Sequence, residues 1–106
     1  MEAYLVFGIA ASSIDEVSAE LSDILSVRFE PHTSRYTGRY NKYESKSGEL
    51  IEVKYNFHPD LKEWDEAAFQ NYEVLLYVSS TARPSYYKDV LRRFSAPLEL
   101  ISERKV

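Results

Sequence analysis

The sequence predicts an α+β domain built on one mainly antiparallel sheet, and three observations carry that expectation. Two segments, Tyr4-Leu5-Val6-Phe7-Gly8-Ile9-Ala10 and Tyr72-Glu73-Val74-Leu75-Leu76-Tyr77-Val78, are apolar at nearly every position. That is the signature of strands covered on both faces, so both belong at the centre of a sheet. Each is followed by apolar residues at helical spacing. Between these two units lies a stretch rich in tyrosine and threonine that suits half-exposed strands.

In chain order, Tyr4–Ala10 is the first central strand. Ser13-Ile14-Asp15-Glu16 then offers a capping box. Ile14, Val17, Leu21, Ile24 and Leu25 form the apolar stripe of a helix over residues 14–26, with Glu20 and Asp23 on the other side. Val27-Arg28-Phe29-Glu30 alternates as a short strand that Pro31 ends. Ser34–Glu44 reads as a strand in which Gly38 marks a bulge or a close backbone approach. Ser45-Lys46-Ser47-Gly48 is a turn. Beyond it Ile51, Val53, Tyr55 and Phe57 alternate with Glu52, Lys54 and Asn56, which completes a hairpin. Residues 58–70 form an acidic loop with a turn or two of helix around Leu61, Trp64, Ala68 and Phe69. After the second central strand, Pro84 opens a helix with Tyr87, Val90, Leu91 and Phe94 on its buried side. Leu98–Ser102 is the last strand.

The order is thus β, α, two or three strands, then β, α, β. Two β-α-β units with right-handed crossovers place both helices on one face of one sheet. In a ferredoxin-like sandwich the two most apolar strands are the central ones, as here. The expected fold is therefore a ferredoxin-like split βαβ sandwich with an extra edge strand from the 34–57 hairpin.

A chain of 106 residues, 44% apolar and 28% charged, suits a single domain over 1–106. The lack of cysteine excludes disulfides and thiolate metal sites. The first residues lack the basic region of a signal peptide, and the longest apolar run is too short to span a bilayer. A cytoplasmic protein without membrane association is expected. The net charge of −4 disfavours broad binding to nucleic acid and is compatible with a basic protein partner.

Catalytic motifs are missing. The two histidines, His32 and His58, each adjoin a proline, and neither has a second ligand at metal-binding spacing. An acid–base pair of His58 with Asp60 weighs less than a solvated loop histidine. No Gly-x-Ser-x-Gly occurs, and the three glycines form no phosphate-binding cluster. A non-enzyme without cofactor or metal is expected. Two surfaces remain as candidates for binding a partner. One interleaves arginine and tyrosine on the hairpin and comprises Tyr36, Arg39, Tyr40, Tyr43 and Tyr55. Such a surface suits single-stranded RNA, a protein interface, or simple cross-strand pairing. The other is the acidic loop, where Asp60, Glu63, Asp65 and Glu66 surround the only tryptophan, Trp64. Exposed, Trp64 is an anchor for a basic partner; buried, it holds a short helix whose charges are solvated.

The stretch from Phe29 to Asn56 carries Phe29-Glu30, then Tyr36, Gly38 and Tyr40, then Glu44-Ser45, Ser47-Gly48-Glu49, Ile51 and Asn56. Together with Val74-Leu75-Leu76-Tyr77-Val78 and the closing Leu100–Val106, it resembles small immunity proteins of bacterial polymorphic toxin systems, including those of contact-dependent growth inhibition. The resemblance implies a cytoplasmic antitoxin that binds one cognate toxin domain, often a basic nuclease, and blocks it. It implies no catalysis and assigns no contact residues; a monomer or weak dimer is expected. The alternative is a small ferredoxin-like RNA-binding or regulatory domain that uses the Arg/Tyr hairpin of residues 35–56.

Overall fold

A computed structural model of the chain describes residues 2–35 and 38–106. Its strands are β1 (Ala3–Ile9), β2 (Glu30–Ser34), β3 (Gly38–Glu44), β4 (Leu50–Tyr55), β5 (Phe57–His58), β6 (Glu63–Trp64), β7 (Val74–Thr81) and β8 (Leu98–Lys105). The helices are α1 (Ile14–Leu25) and α2 (Pro84–Val90), with single 3₁₀ turns at Ala67–Phe69 and Leu91–Arg93. Six strands form one sheet in the order β2-β3-β4-β7-β1-β8, and every neighbouring pair is antiparallel. β5 and β6 make a separate two-residue ladder.

The two apolar segments lie side by side, with Leu5 opposite Val78, Phe7 opposite Leu76 and Ile9 opposite Val74. Strand alternation puts these six side chains on one face, together with Ile51 and Val53 of β4. They merge into one buried cluster with Ile14, Val17, Leu21 and Leu25 of α1, Tyr87 of α2 and Leu91 just beyond it. Both helices therefore cover the same face of the sheet. α1 starts where the Ser13 hydroxyl accepts the Glu16 N–H at 3.2 Å. It ends at Ser26, which adopts the left-handed conformation and donates its N–H to the Ser22 carbonyl.

The other face is covered in part by the chain between β4 and β7. Leu75 points away from the helices, yet it is fully buried. Its cross-strand neighbour is Gly8, and the Tyr72 ring occupies the space that a Cβ on Gly8 would need. Glycine is needed here because an aromatic side chain closes onto the backbone.

Several boundaries differ from expectation. Residues 27–29 form no strand; β2 begins at Glu30 and runs through Pro31. Proline is tolerated because β2 is the sheet edge, where its missing N–H breaks no ladder. The single strand expected over 34–44 is divided, with Ser34 closing β2 and Gly38 opening β3 at a φ of +68°. Gly38 serves the turn rather than a bulge. Two strands, β2 and β3, therefore extend the sheet beyond β4 instead of one extra strand. Trp64 sits in a β-ladder instead of a helix. β8 continues to Lys105 because it pairs along the whole of β1, with one extra residue, Ile101, in β8 opposite the step from Val6 to Phe7. Among the described residues, no helix is long and apolar enough to cross a membrane.

Leu21 is completely buried beneath α1. Leu21→Ala should lower the unfolding free energy by about 2–5 kcal/mol, measured by chemical denaturation. An unchanged midpoint would contradict the packing of α1 described above.

Candidate functional site

The chain leaves the sheet at Asn56 and returns at Val74, and Asn56 holds the excursion together. Its side chain is fully buried. The amide Nδ2 donates to the Tyr72 carbonyl at 3.0 Å and the Phe69 carbonyl at 3.1 Å, and lies 3.4 Å from that of Glu66. The Oδ1 atom accepts the Glu66 N–H at 2.8 Å. On the main chain, Asn56 donates to the Glu73 carbonyl and accepts from the Asp65 N–H, both at 2.8 Å. Both ends of the loop and its middle are thus tied to one residue.

The first part of the loop is the β5–β6 hairpin, which sets Phe57 opposite Trp64 with ring centroids 4.9 Å apart. Next to it His58 is buried, and its Nε2 lies 2.7 Å from Asp65 Oδ1. The Tyr77 hydroxyl donates to the second Asp65 oxygen at 3.3 Å. Burial, and then the carboxylates of Asp65 and Glu66, push the Tyr77 phenol above its ordinary range, so it stays a donor. His58 is therefore a buried residue paired with Asp65, neither solvated nor joined to Asp60. Asp65 ties the loop to β7 and is not one of a set of free carboxylates.

Tyr55, Phe57, Pro59, Trp64, Gln70 and Glu73 line a hollow of about 480 Å³. Trp64 is half-buried and Phe57 is 38% exposed. Asp60 and Glu63 are exposed, and Glu66 is half-buried. Residues 56–73 carry five carboxylates against the single Lys62, a net of −4 that equals the formal charge of the whole chain. The twelve acids and twelve bases elsewhere balance.

The tyrosine–arginine hairpin is not one surface. Strand alternation sends Arg39, Asn41 and Tyr43 towards the helices and Tyr40 the other way. Arg39 donates to Asp15 at 2.6 Å, and this bond, with one from Asn41, holds the Asp15 carboxyl below its ordinary value. Tyr43 packs against the core cluster, and the Tyr55 hydroxyl accepts the Ile14 N–H at 3.4 Å. On the opposite face Tyr40 stacks with His32 at 5.6 Å. The Lys54 ammonium lies 5.3 Å from the Tyr40 ring and 5.2 Å from the Tyr77 ring, and pairs with Glu52 at 3.6 Å. Tyr36 lies outside the described residues.

A second cluster escaped the sequence reading. Glu49 is only 6% exposed, at the floor of a cleft of about 440 Å³ next to Tyr43, Ser47 and Tyr86. Its carboxylate accepts from Thr81, Tyr87 and Arg83, the last at 3.0 Å. Burial pushes the carboxyl up, but the bonds from Arg83, Thr81 and Tyr87 outweigh it and hold it below the ordinary value. An acid beside Gly48 in a turn reads as solvated, and only the packing of α2 and β7 reveals otherwise. All the oxygen valences of Glu49 are met within the chain, so the cluster serves as a clamp between α2 and the β3–β4 hairpin. Among the described residues no group of histidine, aspartate and glutamate is placed to hold a metal ion. No family model matches the chain, and no curated protein shows significant similarity to it.

Asn56→Ala leaves inward-facing carbonyls without a donor and should cost about 3 kcal/mol. Amide exchange would show protection lost across 57–73 and kept in β1 and β7; uniform loss would contradict a local hub. For Glu49 the folded carboxyl is depressed, so its stabilisation is complete at neutral pH and disappears as pH falls through and below the ordinary glutamate range. Glu49→Gln should cost about 2 kcal/mol at neutral pH and flatten that acid dependence, measured as unfolding free energy against pH. Parallel wild-type and variant curves would rule the clamp out.

Proposed function

We propose that this protein is a non-catalytic binding module, an immunity protein that neutralises a cognate basic toxin domain by occluding it in the cytoplasm. The observation that supports this reading is that the loop of residues 56–73, which supplies most of the lining of the aromatic hollow, carries a net charge equal to that of the whole chain. Acidic rims steer basic partners and raise their rate of encounter, while aromatic anchors supply contact area at low entropic cost. A nuclease toxin must hold phosphates, so its cleft is basic and complementary to such a rim. The family resemblance of the 29–56 stretch and the closing strand adds the class of partner. We read β4-β7-β1-β8 with its two helices as a ferredoxin-like split βαβ unit, extended by β2 and β3. On that reading the docking loop is an insertion between the second and third strands of the unit, free to vary without disturbing the core.

The RNA-binding alternative relies on Tyr40 and the basic residues near it. Lys54 is already held by two rings and Glu52, and Arg39 by Asp15. Lys42 keeps no ion pair among the described residues, so what weighs against phosphate binding is the net charge of −4.

The test is the affinity for the toxin-like product encoded immediately upstream, at two ionic strengths. Asp60→Lys with Glu63→Lys changes two exposed carboxylates and should leave thermal melts unchanged. Affinity should fall at least about tenfold at low salt, with a smaller loss at high salt. Asp65 is unsuited to this test because its substitution breaks the His58 and Tyr77 contacts. Undiminished affinity in the double variant would place the interface elsewhere. Salt-sensitive binding to single-stranded RNA with no protein partner would overturn the reading.

A further inference from the structure

Resting on that docking reading, we infer that the hollow beside Trp64 is an aromatic cage that receives one lysine or arginine side chain of the basic protein partner. Three rings, Tyr55, Phe57 and Trp64, line it, and the Phe57 and Trp64 rings meet at 53°. A cation seated against the face of such a ring is attracted by its quadrupole. Glu73 closes the same hollow. Its main-chain carbonyl is fixed by Asn56, while its carboxylate has no hydrogen-bond or ion-pair partner among the described residues. A carboxylate so placed complements the charge that the rings favour, and Gln70 adds an unengaged amide.

None of the chain's own lysines or arginines lines the hollow. Elsewhere the protein satisfies its cations in this same manner. Lys54 lies between Tyr40 and Tyr77 and pairs with Glu52, and Arg83 lies 4.3 Å from the Tyr86 ring and pairs with Glu49. At Trp64 the rings and the acid are present and the cation is not supplied by the chain. A volume of about 480 Å³ is within the range of side-chain and small-ligand sites. The excess of carboxylates on the same loop selects against an anionic occupant.

Trp64 is the only tryptophan, so its fluorescence reports on the hollow directly. The full chain is titrated with Nα-acetyl-lysine amide, Nα-acetyl-arginine amide and the uncharged isostere Nα-acetyl-norleucine amide. The cationic amides should give saturable changes with affinities roughly tenfold above that of norleucine amide. Glu73→Gln should erase most of that preference without altering the thermal melt, and Phe57→Ala should weaken both cationic amides. Equal binding of norleucine amide, or no saturable response to either cationic amide, would overturn the cage. No partner is needed for this titration, so it separates from the docking test. A cage that discriminates while the rim variants bind the toxin normally would refute the docking surface alone. Rim-dependent toxin binding with no discrimination would refute the cage alone.

Discussion

The candidate site depends on one buried amide. Asn56 is the last residue before the chain departs from the sheet, and everything between it and Val74 is positioned by its side chain. A loop of this length carries its own backbone donors and acceptors, and those turned inward need partners. A single carboxamide supplies two donors and an acceptor at one point, which a hydroxyl or a carboxylate cannot do. The result is a short loop-on-sheet layer in which Phe57 meets Trp64, Asp65 reaches Tyr77, and Tyr72 closes over Gly8. The main core has an independent source of order in the paired apolar strands and the stripe of α1. The loop layer is built from the hydrogen bonds of Asn56 and Asp65 and a few ring contacts of its own, so its stability is separable from that of the core.

The separation has a functional consequence. The helix-covered face and the central strands are conventional apolar packing, and their charges elsewhere balance. The loop layer holds the charge imbalance, the exposed rings and an unpaired carboxylate. On the proposed docking role, this division lets contact residues be altered without disturbing the strands beneath them. The division also explains the roles within the acidic segment. Asp65 is engaged by the buried His58 and by Tyr77 and supports the loop, while Asp60 and Glu63 are exposed and form no ion pair among the described residues.

Three cations are held against aromatic rings. Lys54, Arg83 and Arg104 each lie over tyrosine rings, at 5.2, 4.3 and 4.9 Å respectively. Fourteen percent of the residues are aromatic, which makes such pairing easy on a sheet where successive same-side residues stand close together. The tyrosines and arginines of the hairpin are divided between its two faces, with Arg39 bound to Asp15 on one and Tyr40 stacked with His32 on the other, and do not form one continuous surface.

Period and burial were legible in the sequence because they are local. The doubly apolar runs marked β1 and β7 as neighbours in the centre, the stripe from Ile14 to Leu25 marked α1, and Ser13 marked its start. The acidic character of the 60–66 segment was also plain, since charge needs no fold to be counted. What the tertiary structure decided depends on which residues meet across distance. The alternation of β3 assigned Arg39 and Tyr40 to opposite faces only once the sheet had one side covered by helices. Pro31 could sit within a strand only because β2 became an edge. Asn56, His58 and Glu49 are polar residues of kinds usually found at the surface, and each is buried because partners brought to it by the fold complete its hydrogen bonds. A buried polar group is stable only with its partners in place, so its burial is a property of the assembled fold and not of the residue.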